Sequence, residues 1–216
     1  MSPLLQLLMT LILLFSFLML MQSRILNLVK LLILQNLLLT VYLFLNTYFS
    51  GSLELLFSSS LNLVIKVIIL PWLLWKLARA LETSGKTDPL THKSTLLFTG
   101  LAMVLFAIVV SQPIHSLLGL TQLFPFSISL ANVFLAILLI IFRRRAISQL
   151  IGLLVLENSL FLFALSTTNG LPWIIELGIS FDLLIGFMIF AVFLVRIRST
   201  HGSLATQDLA GLKEVK

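Results

Sequence analysis

The chain has no cysteine among its 216 residues, which excludes disulfides, thiolate catalysis and iron–sulfur ligation. It is equally poor in charge. Only 10% of residues are Asp, Glu, Lys or Arg, against about 25% in a soluble domain. Its three histidines (His92, His115, His201) are scattered, with no carboxylate at ligand spacing, so no metal site is expected. There is no glycine-rich phosphate loop and no nucleophile elbow, and no cofactor-binding motif of any kind. The chain is therefore not read as an enzyme on its own.

What remains is apolar. Hydrophobic residues make up 59% of the sequence, in continuous leucine-rich runs rather than the alternation of a transmembrane barrel. The composition predicts an all-α polytopic membrane protein with about seven spans, near Leu4–Met21, Ile25–Leu45, Leu53–Leu77, Thr95–Ile114, Phe126–Phe142, Ile147–Leu165 and Trp173–Ile197. Each is long enough to cross roughly 30 Å of hydrocarbon. The fourth is expected to close at Gln112-Pro113, and the first lacks a basic flank and cleavage site, so it reads as a helix that stays. The net charge of +6 would suggest nucleic acid in a soluble protein. Here Lys30 and Lys66 lie within spans, and every other basic residue lies at or beyond the closing end of span one, three, five or seven. The positive-inside rule then places the C-terminus in the cytoplasm and the N-terminus outside. Nucleic-acid binding is excluded on that reading.

The stretch from Arg143 to Gly202 carries the chemistry. Glu157 breaks span six at its centre, and Asp182 does the same in span seven. Counting inward from the outer helix ends, Lys66 in span three falls at a similar depth. A carboxylate there costs about 2.5–3.5 kcal/mol on the insertion scale, so such residues must pair, stay protonated or face water. Gly178 and Gly186 lie on the face of Asp182 at i−4 and i+4, removing Cβ atoms where another group could approach. Pro71 cannot donate to the carbonyl of Val67, which frees an acceptor beside Lys66. Gln35, Asn62 and Asn158 are auxiliary polar candidates. The plainer readings are helix anchoring for either acid and a static ion pair for Lys66.

Leu34-Gln35-Asn36-Leu37 in span two resembles Leu156-Glu157-Asn158-Ser159 in span six, and Asn62 precedes Asp182 by 120 positions. A duplicated three-helix unit, spans one to three and five to seven, would explain both. The chain divides accordingly into residues 1–125, 126–198 and a polar tail, 199–216.

Leu150-Ile151-Gly152-Leu153 through Glu157-Asn158, with Asp182-Leu183-Leu184-Ile185-Gly186, resembles subunit K of respiratory complex I. Against that family's motif its acid would fall at Leu154, so Glu157 is displaced by three residues, nearly one turn and about 60°. Lys66-Val67 with Pro71, Glu157-Asn158, the Asp182 helix and Thr200-His201-Gly202-Ser203-Leu204 are similar to component E of the hydrogenase-4, formate hydrogenlyase-type membrane hydrogenases, over essentially the full chain. The resemblance implies a prokaryotic cytoplasmic-membrane subunit of an ion-translocating redox complex. It further implies that Lys66, Glu157 and Asp182 form part of a lateral proton path. Its partners would be larger antiporter-like membrane subunits and a peripheral redox arm. A small subunit of a cation/proton antiporter and a passive scaffold remain as alternatives.

Overall fold

A computed structural model describes residues 3–50, 53–80, 92–118, 123–168, 178, 181–182, 184–193 and 196. The apolar runs form helices because each is rich in leucine, a strong helix former. They are α1 (Pro3–Met21), α2 (Ile25–Ser50), α3 (Leu53–Asn62), α4 (Leu70–Ala80), α5 (Lys93–Leu118), α6 (Leu123–Ile141) and α7 (Ala146–Thr168). A seven-residue π-helical segment, Leu63–Ile69, joins α3 to α4 in one rod. Six membrane-length apolar helices therefore lie among the described residues. The chain is an all-α, multi-pass membrane protein. Of the predicted seventh span, a shorter apolar helix α8 (Leu184–Phe193) is described. The tail, with Thr200–Leu204, lies outside the described residues.

The α5 helix runs through Pro113 to Leu118 instead of closing at Gln112-Pro113. A proline removes one ladder bond, here the one to Val109 O four residues back, and a membrane helix can tolerate that loss without ending.

Packing is inside-out relative to a soluble protein. Phe98, Val109 and Ile189 are exposed, while Ser16, Gln35, Asn36, Asn62, Asn132 and Asn158 are buried. Lipid accepts the apolar surface, and all of these polar residues but Asn62 find hydrogen-bond partners between helices. Gly152 lets α7 approach α6 closely, since a Cβ there would meet Ile140 Cγ1 at 2.8 Å and the Ile140 backbone N at 3.2 Å.

The short connections on one side are locked by Arg143, which is 1% exposed. Its Nη1 donates to Gln22 O at 2.6 Å, and its Nη2 to Met19 O at 2.6 Å and Leu20 O at 3.2 Å. These carbonyls end α1, which has no basic residue in its own last turn. The guanidinium thus caps a helix C-terminus from the α6–α7 turn and meets the negative end of its dipole. Burial pushes Arg143 down to about 10, still far above neutral, so the charge persists.

Arg143→Met should take the guanidinium from three carbonyls, of which Met19 O keeps the Gln22 N–H at 3.2 Å, and cost on the order of 3 kcal/mol, lowering the thermal midpoint of the detergent-solubilised protein. Arg143→Lys should recover only part of the loss, since an ammonium lacks the planar fork. Unchanged melting of Arg143→Met would show the cap to be dispensable. For topology, single cysteines at Ser94 and Ser116, exposed at opposite ends of α5, should react with an impermeant thiol reagent from opposite sides. Ser94 should label from the cytoplasm and Ser116 from outside; labelling of both from one side would refute the span order.

Candidate functional site

Lys66 sits in the π-helical segment near the middle of its rod and is 2% exposed. Its Nζ donates to Glu157 Oε1 at 2.5 Å and to Asn158 Oδ1 at 3.3 Å. Phe161, one turn beyond Glu157 on α7, lies beneath the ammonium with its ring centre 5.5 Å away. Asn158 Nδ2 donates to Asn36 Oδ1 at 2.5 Å, and Asn36 Nδ2 donates to the backbone oxygen of Lys66 at 2.6 Å. The chain of bonds begins at the Lys66 ammonium and returns to the Lys66 carbonyl. An ammonium only donates and a carbonyl only accepts, so this circuit fixes the orientation of both amides.

The local backbone explains why that carbonyl is available. In the π register the Leu70 N–H donates to Ile65 O, five residues back. The next bond in that register would run from residue 71 to Lys66 O, and Pro71 has no N–H to give. The proline therefore releases the carbonyl of Lys66 itself, one residue from the Val67 carbonyl expected from α-helical spacing. Asn36 supplies the missing donor. The π turn was not foreseen, although a proline five residues past a buried lysine is its trace in the sequence.

Gln35 and Asn36 are neighbours, yet they serve different clusters. Gln35 Nε2 donates to Ser16 Oγ at 2.7 Å, and Ser16 Oγ donates to Asn132 Oδ1 at 2.7 Å. Gln35 thus joins α2 to α1 and α6, while Asn36 joins the Lys66 site. The two segments matched as a repeat meet directly, through the bond between Asn36 and Asn158. Asn62, one turn from Lys66 on the same rod, is fully buried, and neither of its amide atoms has a hydrogen-bond partner.

Glu157 is the one member of the site near the surface. Its side chain is 16% exposed, and Leu153 and Leu160 beside it on α7 are exposed. Asp182 does not join Lys66 and Glu157. It is exposed on the outer surface of the bundle, without a hydrogen bond or ion pair to any described residue. A Cβ built at Gly178 or Gly186 would meet nothing within 4 Å. Among the described residues the glycines make room for no neighbour. Among the described residues no cluster of His, Cys, Asp or Glu could hold a metal ion.

Chemically, the site is a desolvated ion pair with directional amides around it. The ammonium and carboxylate neutralise each other, and proton transfer between them would leave both neutral.

Comparison with known proteins finds distant relatives. Hydrogenase-4 component E of Escherichia coli strain K12 is 24% identical over 175 residues, 81% of this chain and 80% of its own length. The protein of that name from Shigella flexneri matches to the same extent. The uncharacterized protein Rv0085 of Mycobacterium tuberculosis is 30% identical over 156 residues, 71% of this chain and 69% of its own. No family model matches the chain, and no solved structure matches it significantly. The extent and identity of the mycobacterial match show that this chain belongs to the family of Rv0085.

Proposed function

We propose that the chain is a non-catalytic membrane subunit of an energy-converting hydrogenase or complex I-like oxidoreductase, carrying one segment of a lateral proton path. The observation that carries this reading is the Lys66–Glu157 pair, near the midpoints of its helices, with Lys66 enclosed and Glu157 at the edge. A pair so arranged can pass charge sideways between the bundle interior and whatever lies against α7. The similarity to hydrogenase-4 component E supplies the redox context. The orientation is C-terminus inward, and the path continues into neighbouring subunits of a prokaryotic cytoplasmic-membrane complex.

The exposed Asp182 gives that reading its partner face. A carboxylate on the lipid-facing surface of a span is costly. A larger membrane subunit that supplied a cation or a donor there would remove the cost. Gly178 and Gly186, open on either side, would let that partner approach Asp182 closely. Residues of both faces, Glu157 and Asp182, then serve one path that continues beyond the chain.

A fixed clamp is the competing reading, because the closed circuit of bonds around Lys66 would also hold three helices together. Neutralisation separates the two. Glu157→Gln keeps an acceptor for Lys66 Nζ, so the complex should accumulate normally while coupled proton movement into inverted vesicles falls by roughly 10²-fold. Lys66→Met leaves the half-buried Glu157 carboxylate without its cation and should reduce yield, at a cost of up to about 3–5 kcal/mol. Combining it with Glu157→Gln should restore yield and leave proton movement lost. Recovery of proton movement in the double variant would establish the clamp instead. At the partner face, Gly186→Leu should leave the amount of chain in the membrane unchanged but reduce what co-purifies in mild detergent. Undiminished co-purification would exclude that face as the contact.

A further inference from the structure

The polar residues around the site are distributed unevenly along the membrane normal. On the side where α2 ends and α3 begins, Asn62 and Ser59 follow Lys66 along the rod at successive turns, and both are fully buried. On α2, Thr40 follows Asn36 by one turn and is also buried. The bond from Asn36 to Lys66 O sets the register of these antiparallel elements. Asn62 and Thr40 therefore fall at one level, a turn beyond the ion pair, with Ser59 a turn further out. The Ser59 and Thr40 hydroxyls donate only to their own helices, to Leu56 O at 2.9 Å and Asn36 O at 2.9 Å. Their lone pairs remain available as acceptors.

On the basic side of the ion pair the same interface is dry. Leu28 and Leu32 of α2, Leu70 and Leu74 of α4, and Ile151 and Leu154 of α7 belong to one buried apolar cluster. Among the described residues no polar column leads from Lys66 toward Arg143.

Asn62 decides what the polar side is for. Leaving both atoms of a buried amide unpaired is costly, more so where no water is at hand. Leucine would fill the same place without that cost. A buried amide that retains both a donor and an acceptor is suited to hold water, which commonly makes about three bonds to such groups. We propose that Asn62 binds water in a narrow polar column between α2 and α3, lined by Thr40 and Ser59, which gives the Lys66–Glu157 pair access to one side of the membrane only. That side is the one opposite Arg143. The role of the column rests on the proton-path reading, while its hydration is read out independently of any proton movement.

The absence of native cysteine allows a direct test. Single cysteines at Ser59, Asn62, Leu70 and Leu74 would be exposed to a small charged methanethiosulfonate in right-side-out and inverted membrane vesicles. The chain stays with its native partners and is detected by a gel shift. Cysteines at Ser116 and Ser94 mark the two sides. Asn62→Cys and Ser59→Cys should react from the Ser116 side, and Leu70→Cys and Leu74→Cys from neither. An unreactive Asn62→Cys and Ser59→Cys, or reaction only from the Ser94 side, would overturn the column. Equal reactivity at Leu70→Cys would overturn its one-sidedness. If Asn62→Cys fails to accumulate, Ser59→Cys carries the same test in an Asn62→Leu background. Loss of its labelling there supports the column. Unchanged labelling together with a raised thermal midpoint marks Asn62 as a strained core amide and overturns it. Labelling as expected in a protein whose proton movement survives Glu157→Gln would retain the column and remove the proton path.

Discussion

An ammonium group inside a membrane must be surrounded by acceptors, and in the interior of a helix bundle acceptors are scarce. Backbone carbonyls are committed to their own helices, and apolar side chains offer none. Lys66 resolves this with one carboxylate, one amide oxygen and an aromatic face, all from α7. Those three groups fix where α7 must lie against the α3–α4 rod. The amides of Asn158 and Asn36 extend the constraint to α2. Burial of a charged pair is weak evidence of stability, since desolvation offsets the attraction. What the arrangement secures is register: a slide of any of the three helices by one residue would break the circuit.

The remaining interhelical bonds act similarly at lower stakes. Ser16, Gln35 and Asn132 join α1, α2 and α6, while Ser111 with Ser127 and Ser129 with Ser166 tie α5 to α6 and α6 to α7. Such bonds average only about 0.6 kcal/mol in membrane proteins. Their number and placement therefore specify which face meets which, while close packing of leucine and isoleucine supplies most of the attraction. Arg143 is the exception, because it answers three carbonyls at once.

Much of this was legible in the sequence. Span positions follow from run length, and Lys66 and Glu157 stood out because charge inside a span is rare. Phase was harder to read. The α2 helix is apolar or buried nearly all round, so periodicity could not say whether Gln35 or Asn36 faced span six, and the two differ by about 100°. Arg143 looked like one of three equivalent topological arginines, since nothing local shows that α1 needs its cap from a turn more than a hundred residues away. Asp182 shared its depth with Lys66, but depth does not determine which side of a helix faces inward. Pro71 announced a freed carbonyl, and only the π register determined which one.

That register has a consequence for how the rod can change. A π segment accommodates one residue more than the α-helix it interrupts, turning everything on its far side by about 100°. Asn62 and Ser59 owe their place beside α2 to that extra residue as much as to their own identities. Loss of a single amino acid between Leu63 and Ile69 would straighten the rod into ordinary α-helix and swing both side chains off the α2 interface. No residue that touches Glu157 would have been replaced. In this stretch the number of residues is itself a structural determinant, and a length change there amounts to a change of face.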